Sequence, residues 1–110
     1  MSTIKFDKLI RDRIPEIIRN ANKTAVTEAI PPTEMLDALD HKLQEEVSEY
    51  LESRAVEELA DVLEVLHGIA YHTGISWNEI EAVRLQKKAE RGGFEQGLRL
   101  LEVRDKECLS

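Results

Sequence analysis

Two acidic clusters carry the residues best suited to chemistry. The first is Glu45-Glu46-Val47-Ser48-Glu49 and the second is Glu57-Glu58-Leu59-Ala60-Asp61. Residues three apart share one face of a helix, so Glu46 pairs with Glu49, and Glu58 with Asp61. At about 100° per residue, Glu46 falls only about 60° from the middle of an apolar stripe made by Leu36, Leu39, Leu43, Val47 and Tyr50. Glu49 lies on the same flank, farther out. Glu58 falls inside the wide apolar arc of Val56, Leu59, Val62, Leu63, Val65, Leu66, Ile69 and Ala70, and Asp61 sits just beyond the Val65 edge. A carboxylate among apolar side chains is costly unless something compensates it. Four that converge would repel one another and raise each other's pKa values. A divalent cation relieves that repulsion. Oxygen donors alone select Mg²⁺, Mn²⁺ or Ca²⁺ rather than zinc. Glu46, Glu49, Glu58 and Asp61 are therefore the candidate ligands of a hard-metal site. Glu45, Glu52, Glu57 and Glu64 read as surface residues or as neighbours of the ligands.

A basic cluster lies farther along: Arg84, Lys87, Lys88 and Arg91. Lys87 and Arg91 are four apart and share a face with Ile80 and Val83, so the pattern points them inward. A phosphate chain would partner them there, arginine as a bidentate fork and lysine as a point charge. Cations near a helix C-terminus also favour its dipole, and spacing alone leaves both readings open. The same openness holds for Lys8–Arg13, which either faces a phosphate or is solvated. His41, His67 and His72 have no mutual metal-ligand spacing. Trp77 and Phe94 read as core packing rather than as platforms for a base.

The elements that would place these residues are mostly helical. Pro15 suits the first turn of a short helix to about Asn20. Alternation of Thr and Val in Lys23–Ile30 suggests a short strand, and Pro31-Pro32 ends it. Thr33 is the expected N-cap of a long helix to about Glu52. After a break at Ser53-Arg54, a second long helix runs from Val56 to His72 and stops at Gly74. So short a connection makes the two an antiparallel hairpin, with the acidic clusters on its two arms. Ser76 and Glu79 read as a capping box opening a third long helix, which ends at Gly92-Gly93. Phe94–Val103 suggests a second short strand, able to pair with residues 24–29 as a two-stranded ribbon. Residues 104–110 look frayed. The expected architecture is a mainly α, antiparallel helical bundle with that small ribbon.

Composition narrows the classes. At 110 residues, one domain (1–110) is expected. The formal net charge of −7 speaks against a broad nucleic-acid-binding face and suits a protein that collects cations. The one cysteine, Cys108, cannot form an intramolecular disulfide and fits a reducing compartment. The polar, charged start has no signal-peptide core, and no apolar run reaches the roughly 20 residues of a membrane span. A cytoplasmic location follows as the expectation, with no membrane partner.

The acidic motifs resemble the signature of the all-α nucleoside triphosphate pyrophosphohydrolases, which include MazG proteins, dimeric dUTPases and phosphoribosyl-ATP pyrophosphohydrolases. Lys8-Leu9-Ile10-Arg11-Asp12-Arg13-Ile14-Pro15-Glu16-Ile17-Ile18 is similar to the opening of small phosphoribosyl-ATP pyrophosphohydrolase-like proteins. Lys87-Lys88-Ala89-Glu90-Arg91-Gly92-Gly93-Phe94 is similar to their closing segment. The resemblance spans roughly residues 4–103. It implies a Mg²⁺ site (Mn²⁺ also suits) from Glu46, Glu49, Glu58 and Asp61, and phosphate contacts from Lys87 and Arg91. It also implies a homodimer or higher homo-oligomer, to which the wide apolar arc of the second long helix is independently suited. The implied reaction splits the α–β phosphate bond of a nucleotide, giving a monophosphate and pyrophosphate, with Glu49 or Glu45 as the general base. Fold does not specify the substrate. The alternative is a non-catalytic helical oligomerisation or regulatory protein with a vestigial metal site.

Overall fold

Pro15 opens the first helix of the chain as its fixed φ allows. In the computed structural model, which describes residues 2–106, that helix is α1 (Ile14–Asn20). It is followed by α2 (Pro32–Ser53), α3 (Val56–Thr73) and α4 (Trp77–Arg91). The protein is mainly α-helical, and there is no strand among the described residues. Cys108 lies outside them.

The start of α2 corrects the sequence reading. Pro31 is extended (φ −59°, ψ 145°) and Pro32 is already helical, so Thr33 lies inside the first turn rather than capping it. Proline at the first helical position loses no needed donor, because that N–H would be unpaired in any case. The pair Pro31-Pro32 thus launches the helix. At the other end, Arg54 takes a left-handed conformation (φ 57°) and its N–H donates to the Tyr50 carbonyl at 2.7 Å. The next N–H, of Ala55, donates to Ser53 Oγ at 3.2 Å. Two residues therefore reverse the chain, and α2 and α3 pack along each other as the expected hairpin.

Gly74 ends α3 with φ 75°. The N–H of Ile75 donates to Ala70 O at 3.0 Å and that of Gly74 to Tyr71 O at 3.3 Å, which is the double bond of a Schellman cap. The core is small: Leu39 on α2 and Val65 and Ala70 on α3 are the buried apolar residues among those described. Gly68 permits the close crossing, since a Cβ there would stand 3.2 Å from Leu39 Cδ2. The rest of the expected α2 stripe is less buried, with Leu36 and Val47 exposed. On α3, Val56, Leu59, Leu63 and Leu66 are also exposed. Their spacing of three and four puts them on one stripe with Ala70, about 140° round the helix from Val65.

The chain divides into two compact units, one ending at Trp77 and the other starting at Asn78. Nothing in the composition marks that boundary; length alone suggests one domain. In the second unit, α4 has no buried residue. It stops at Gly92 (φ 85°), whose N–H donates to Lys88 O at 2.8 Å. A turn closed by Gly97 N–H to Phe94 O (3.1 Å) follows, and residues 98–106 have no regular structure.

The ribbon expected between residues 24–29 and Phe94–Val103 is not formed. Both segments are without strand geometry, and Val26, Leu98, Leu100, Leu101 and Val103 are all largely exposed. An isolated two-stranded ribbon is marginal in water, and alternation alone does not supply the face it must cover. Phe94, expected in a core, is 97% exposed.

Candidate metal centre

Glu46 follows Leu39 by seven residues and Lys42 by four, so all three lie on the side of α2 that meets α3. Helix pairing thereby drives a carboxylate into the interface: Glu46 is only 6% exposed. From α3, Glu58 and Asp61 present half-buried carboxylates one turn apart. One carboxylate oxygen from each of Glu46, Glu58 and Asp61 lies within 4.8 Å of the others. Oxygens shared by one cation, bonded at about 2.1–2.4 Å, stand no more than about 4.2–4.8 Å apart.

The Glu46 carboxylate is incompletely satisfied. The Lys42 ammonium approaches Oε1 at 3.3 Å, while the buried Oε2 has no hydrogen-bond partner. Burial raises the pKa of Glu46, the adjacent Glu49 carboxyl raises it further, and Lys42 opposes both without cancelling them. A buried carboxylate with one orphaned oxygen, gathered with two further carboxylates, fits a hard divalent cation. Three of the four expected ligands are thus gathered. Glu49 stands outside this group on the exposed flank of α2, one turn beyond Glu46, because its position on the wheel is farther from the interface.

Three cations face the cluster, and the pattern of apolar residues flagged none of them. Lys42 lies between Glu46 and Glu45, 3.6 Å from Glu45 Oε1. Lys8 stands 3.9 Å from the same oxygen. Arg11 Nη2 donates to Asp61 Oδ1 at 2.7 Å. The stretch Lys8–Arg13 is therefore not uniformly solvated: Lys8 and Arg11 turn to the acidic site, whereas Arg13 pairs with its neighbour Glu16 at 3.1 Å. The i, i+3 and i, i+4 spacing of Lys42 to Glu45 and Glu46 was the available signal for that lysine. Arg11 and Asp61 are fifty residues apart, beyond any local pattern.

Lys87 and Arg91 belong to the second unit. Both are exposed, which corrects the inward orientation expected from their register with Ile80 and Val83; α4 buries no face onto which they could point. With Arg84, Lys88, Gly92, Gly93 and Phe94 they line one open groove. Arg84 is engaged by Glu81 at 2.8 Å and Lys88 by Glu95 at 3.9 Å. Lys87 and Arg91 have no carboxylate partner among the described residues.

Trp77 stacks on His67, with ring centroids 3.5 Å apart and planes at 19°. It is half-buried and spent on packing, as its sequence context suggested.

Comparison with known proteins adds little to this geometry. The chain is 50% identical over 42 residues to an uncharacterised protein of Mycolicibacterium smegmatis. That alignment covers 38% of this chain and 43% of the other, so the chain spans under half the length of the relative it matches. No family model matches the chain, and no solved structure matches it. Among the described residues, no helix is long and apolar enough to cross a membrane.

Proposed function

We propose that this protein is a Mg²⁺-dependent nucleotide pyrophosphohydrolase that cleaves the α–β phosphate bond of a nucleoside triphosphate or related nucleotide. The observation that carries the reading is Glu46: a buried carboxylate with an orphaned oxygen, set against Glu58 and Asp61. The resemblance of the two acidic motifs to the all-α pyrophosphohydrolases supports the same reaction.

Glu46, Glu58 and Asp61 would hold the cation, with Glu49 one helical turn beyond Glu46 on α2. When bound, Mg²⁺ or Mn²⁺ would neutralise phosphate oxygens and acidify the attacking water. Glu49 is the better placed general base, since it is exposed beside Glu46, whereas Glu45 is held by Lys8 and Lys42. Lys87 and Arg91, with no carboxylate partner among the described residues, would bind phosphate, as the resemblance implies. The protein would work as a homodimer or higher homo-oligomer in the cytoplasm, with no nucleic-acid polymer as partner.

The exposed stripe Val56, Leu59, Leu63 and Leu66 supports that assembly, because monomers seldom leave contiguous apolar faces in water. It equally favours the second reading, a helical oligomerisation module without catalysis. Leu63→Glu is expected to shift the protein toward monomer in light scattering at fixed concentration; an unchanged mass would remove the stripe from the interface.

Pyrophosphate release separates the two readings. A panel of NTPs and dNTPs is incubated with the protein in Mg²⁺ and in EDTA. Metal-dependent release supports the enzyme and begins to name its substrate. No release from any nucleotide, together with no rise in Tm on adding Mg²⁺, leaves the oligomerisation module, since a ligand of the native state must stabilise it.

A further inference from the structure

The acidic site already holds a cation of the protein's own. Arg11 Nη2 donates to Asp61 Oδ1 at 2.7 Å, well inside the range of a charge-assisted bond. Asp61 is also one of the three residues that each place a carboxylate oxygen within 4.8 Å of the others. A guanidinium on the Asp61 carboxylate and a divalent cation among the same three carboxylates repel each other. The two therefore compete.

What Arg11 is attached to decides how that competition ends. It belongs to residues 2–13, which carry no helix, and its side chain is 57% exposed. It can leave Asp61 without breaking any secondary structure. Lys42 contrasts with it: that lysine is fixed on α2, only 16% exposed, and stays beside Glu46. Leu9 and Ile10, half-buried, keep the arm close, so a released Arg11 remains at the edge of the site. A guanidinium there has the fork geometry that matches phosphate oxygens.

We propose that Arg11 is the built-in counter-ion of the acidic site, displaced from Asp61 by the incoming divalent cation and then taken up by a phosphate group of the ligand. This rests on the metal-dependent reading above. Arg11 thereby restrains metal loading when no phosphate is present and supports it when phosphate arrives. It is a positioning and phosphate-binding residue that the carboxylate motifs do not reveal.

The test uses the whole chain and needs no turnover. Mn²⁺ alone is titrated calorimetrically into the wild type, Arg11→Met and Lys8→Met. Arg11→Met is expected to bind Mn²⁺ at least about fivefold more tightly, a typical size for coupling between two bound groups. Lys8→Met, at the longer contact with Glu45, should change less. Inorganic pyrophosphate is then titrated into the Mn²⁺-saturated proteins. Arg11→Met should bind it at least about fivefold more weakly, and Arg11→Lys should recover part of the loss. Mn²⁺ affinity that is unchanged or weaker in Arg11→Met would overturn the counter-ion role. Pyrophosphate affinity that is unchanged would overturn the transfer to phosphate. Absence of Mn²⁺ binding in the wild type and every variant would instead overturn the metal-site reading beneath both.

Discussion

Glu46→Gln is expected to lower metal-dependent pyrophosphate release at least about a hundredfold, because even residues that only orient metal ligands cost 10–100-fold when removed. The same substitution should leave the metal-free protein as stable as the wild type, or more stable, at neutral and alkaline pH. The reason is the sign of the Glu46 pKa shift. Burial and Glu49 raise it above the ordinary value of 4.5. An acid with a raised pKa in the folded state contributes its stability below the unfolded value, and loses it as pH rises through the folded one. The wild type without metal should therefore lose stability upward from about the ordinary carboxylate pKa, and Glu46→Gln should not share that loss. Mg²⁺ binds the ionised carboxylate, so the rise in wild-type Tm on adding Mg²⁺ should grow with pH. Melting curves of both proteins at two pH values, with Mg²⁺ and with EDTA, check all of this. A variant that unfolds at neutral pH would place Glu46 among the structural residues. A variant that keeps full activity would remove it from the site.

Leu39→Ala is expected to destabilise the hairpin by about 2–5 kcal/mol, the range for deleting most of a buried leucine. Leu39 is 4% exposed and is the α2 residue over Gly68, where a Cβ would stand 3.2 Å from Leu39 Cδ2. Few other apolar side chains share the burden: Val65 and Ala70 are the remaining buried ones among the described residues. For a chain of this size that loss corresponds to a fall in Tm of more than about 10 °C. Protein concentration must be held constant, since assembly adds to apparent stability. The variant's Tm should still rise with Mg²⁺, because Leu39 touches packing and not the carboxylates. A loss below about 1 kcal/mol would mean the cavity collapses or that Leu39 contributes less than its burial suggests.

Helix positions were legible because they are local. Pro15, the Ser53-Arg54 break, Gly74 and Gly92 act through φ preferences and neighbouring hydrogen bonds, and the structure has helix boundaries within a residue or two of each. The start of α2 was misread for an equally local reason: proline stops a preceding strand and starts a following helix with the same fixed φ, and only the structure distinguishes the two. The ribbon was misread because alternation predicts a strand only where a partner and a face exist to use it.

The candidate site divides along the same line. The 3.6-residue period already placed Glu46 and Glu58 on the apolar sides of their helices, with Glu49 and Asp61 at the flanks, since a residue's side of a helix follows from its index alone. Index and spacing alone therefore yield a mainly helical chain with an acidic hairpin. Tertiary structure decided the rest. It left Glu49 outside the gathered carboxylates and buried Glu46 deeply enough to orphan one oxygen. It also brought Arg11 across fifty residues onto Asp61. Contacts of that span depend on where an irregular arm lies against a helix pair, and no periodicity encodes it, because periodicity reports the facing of one element and never which other element will meet it.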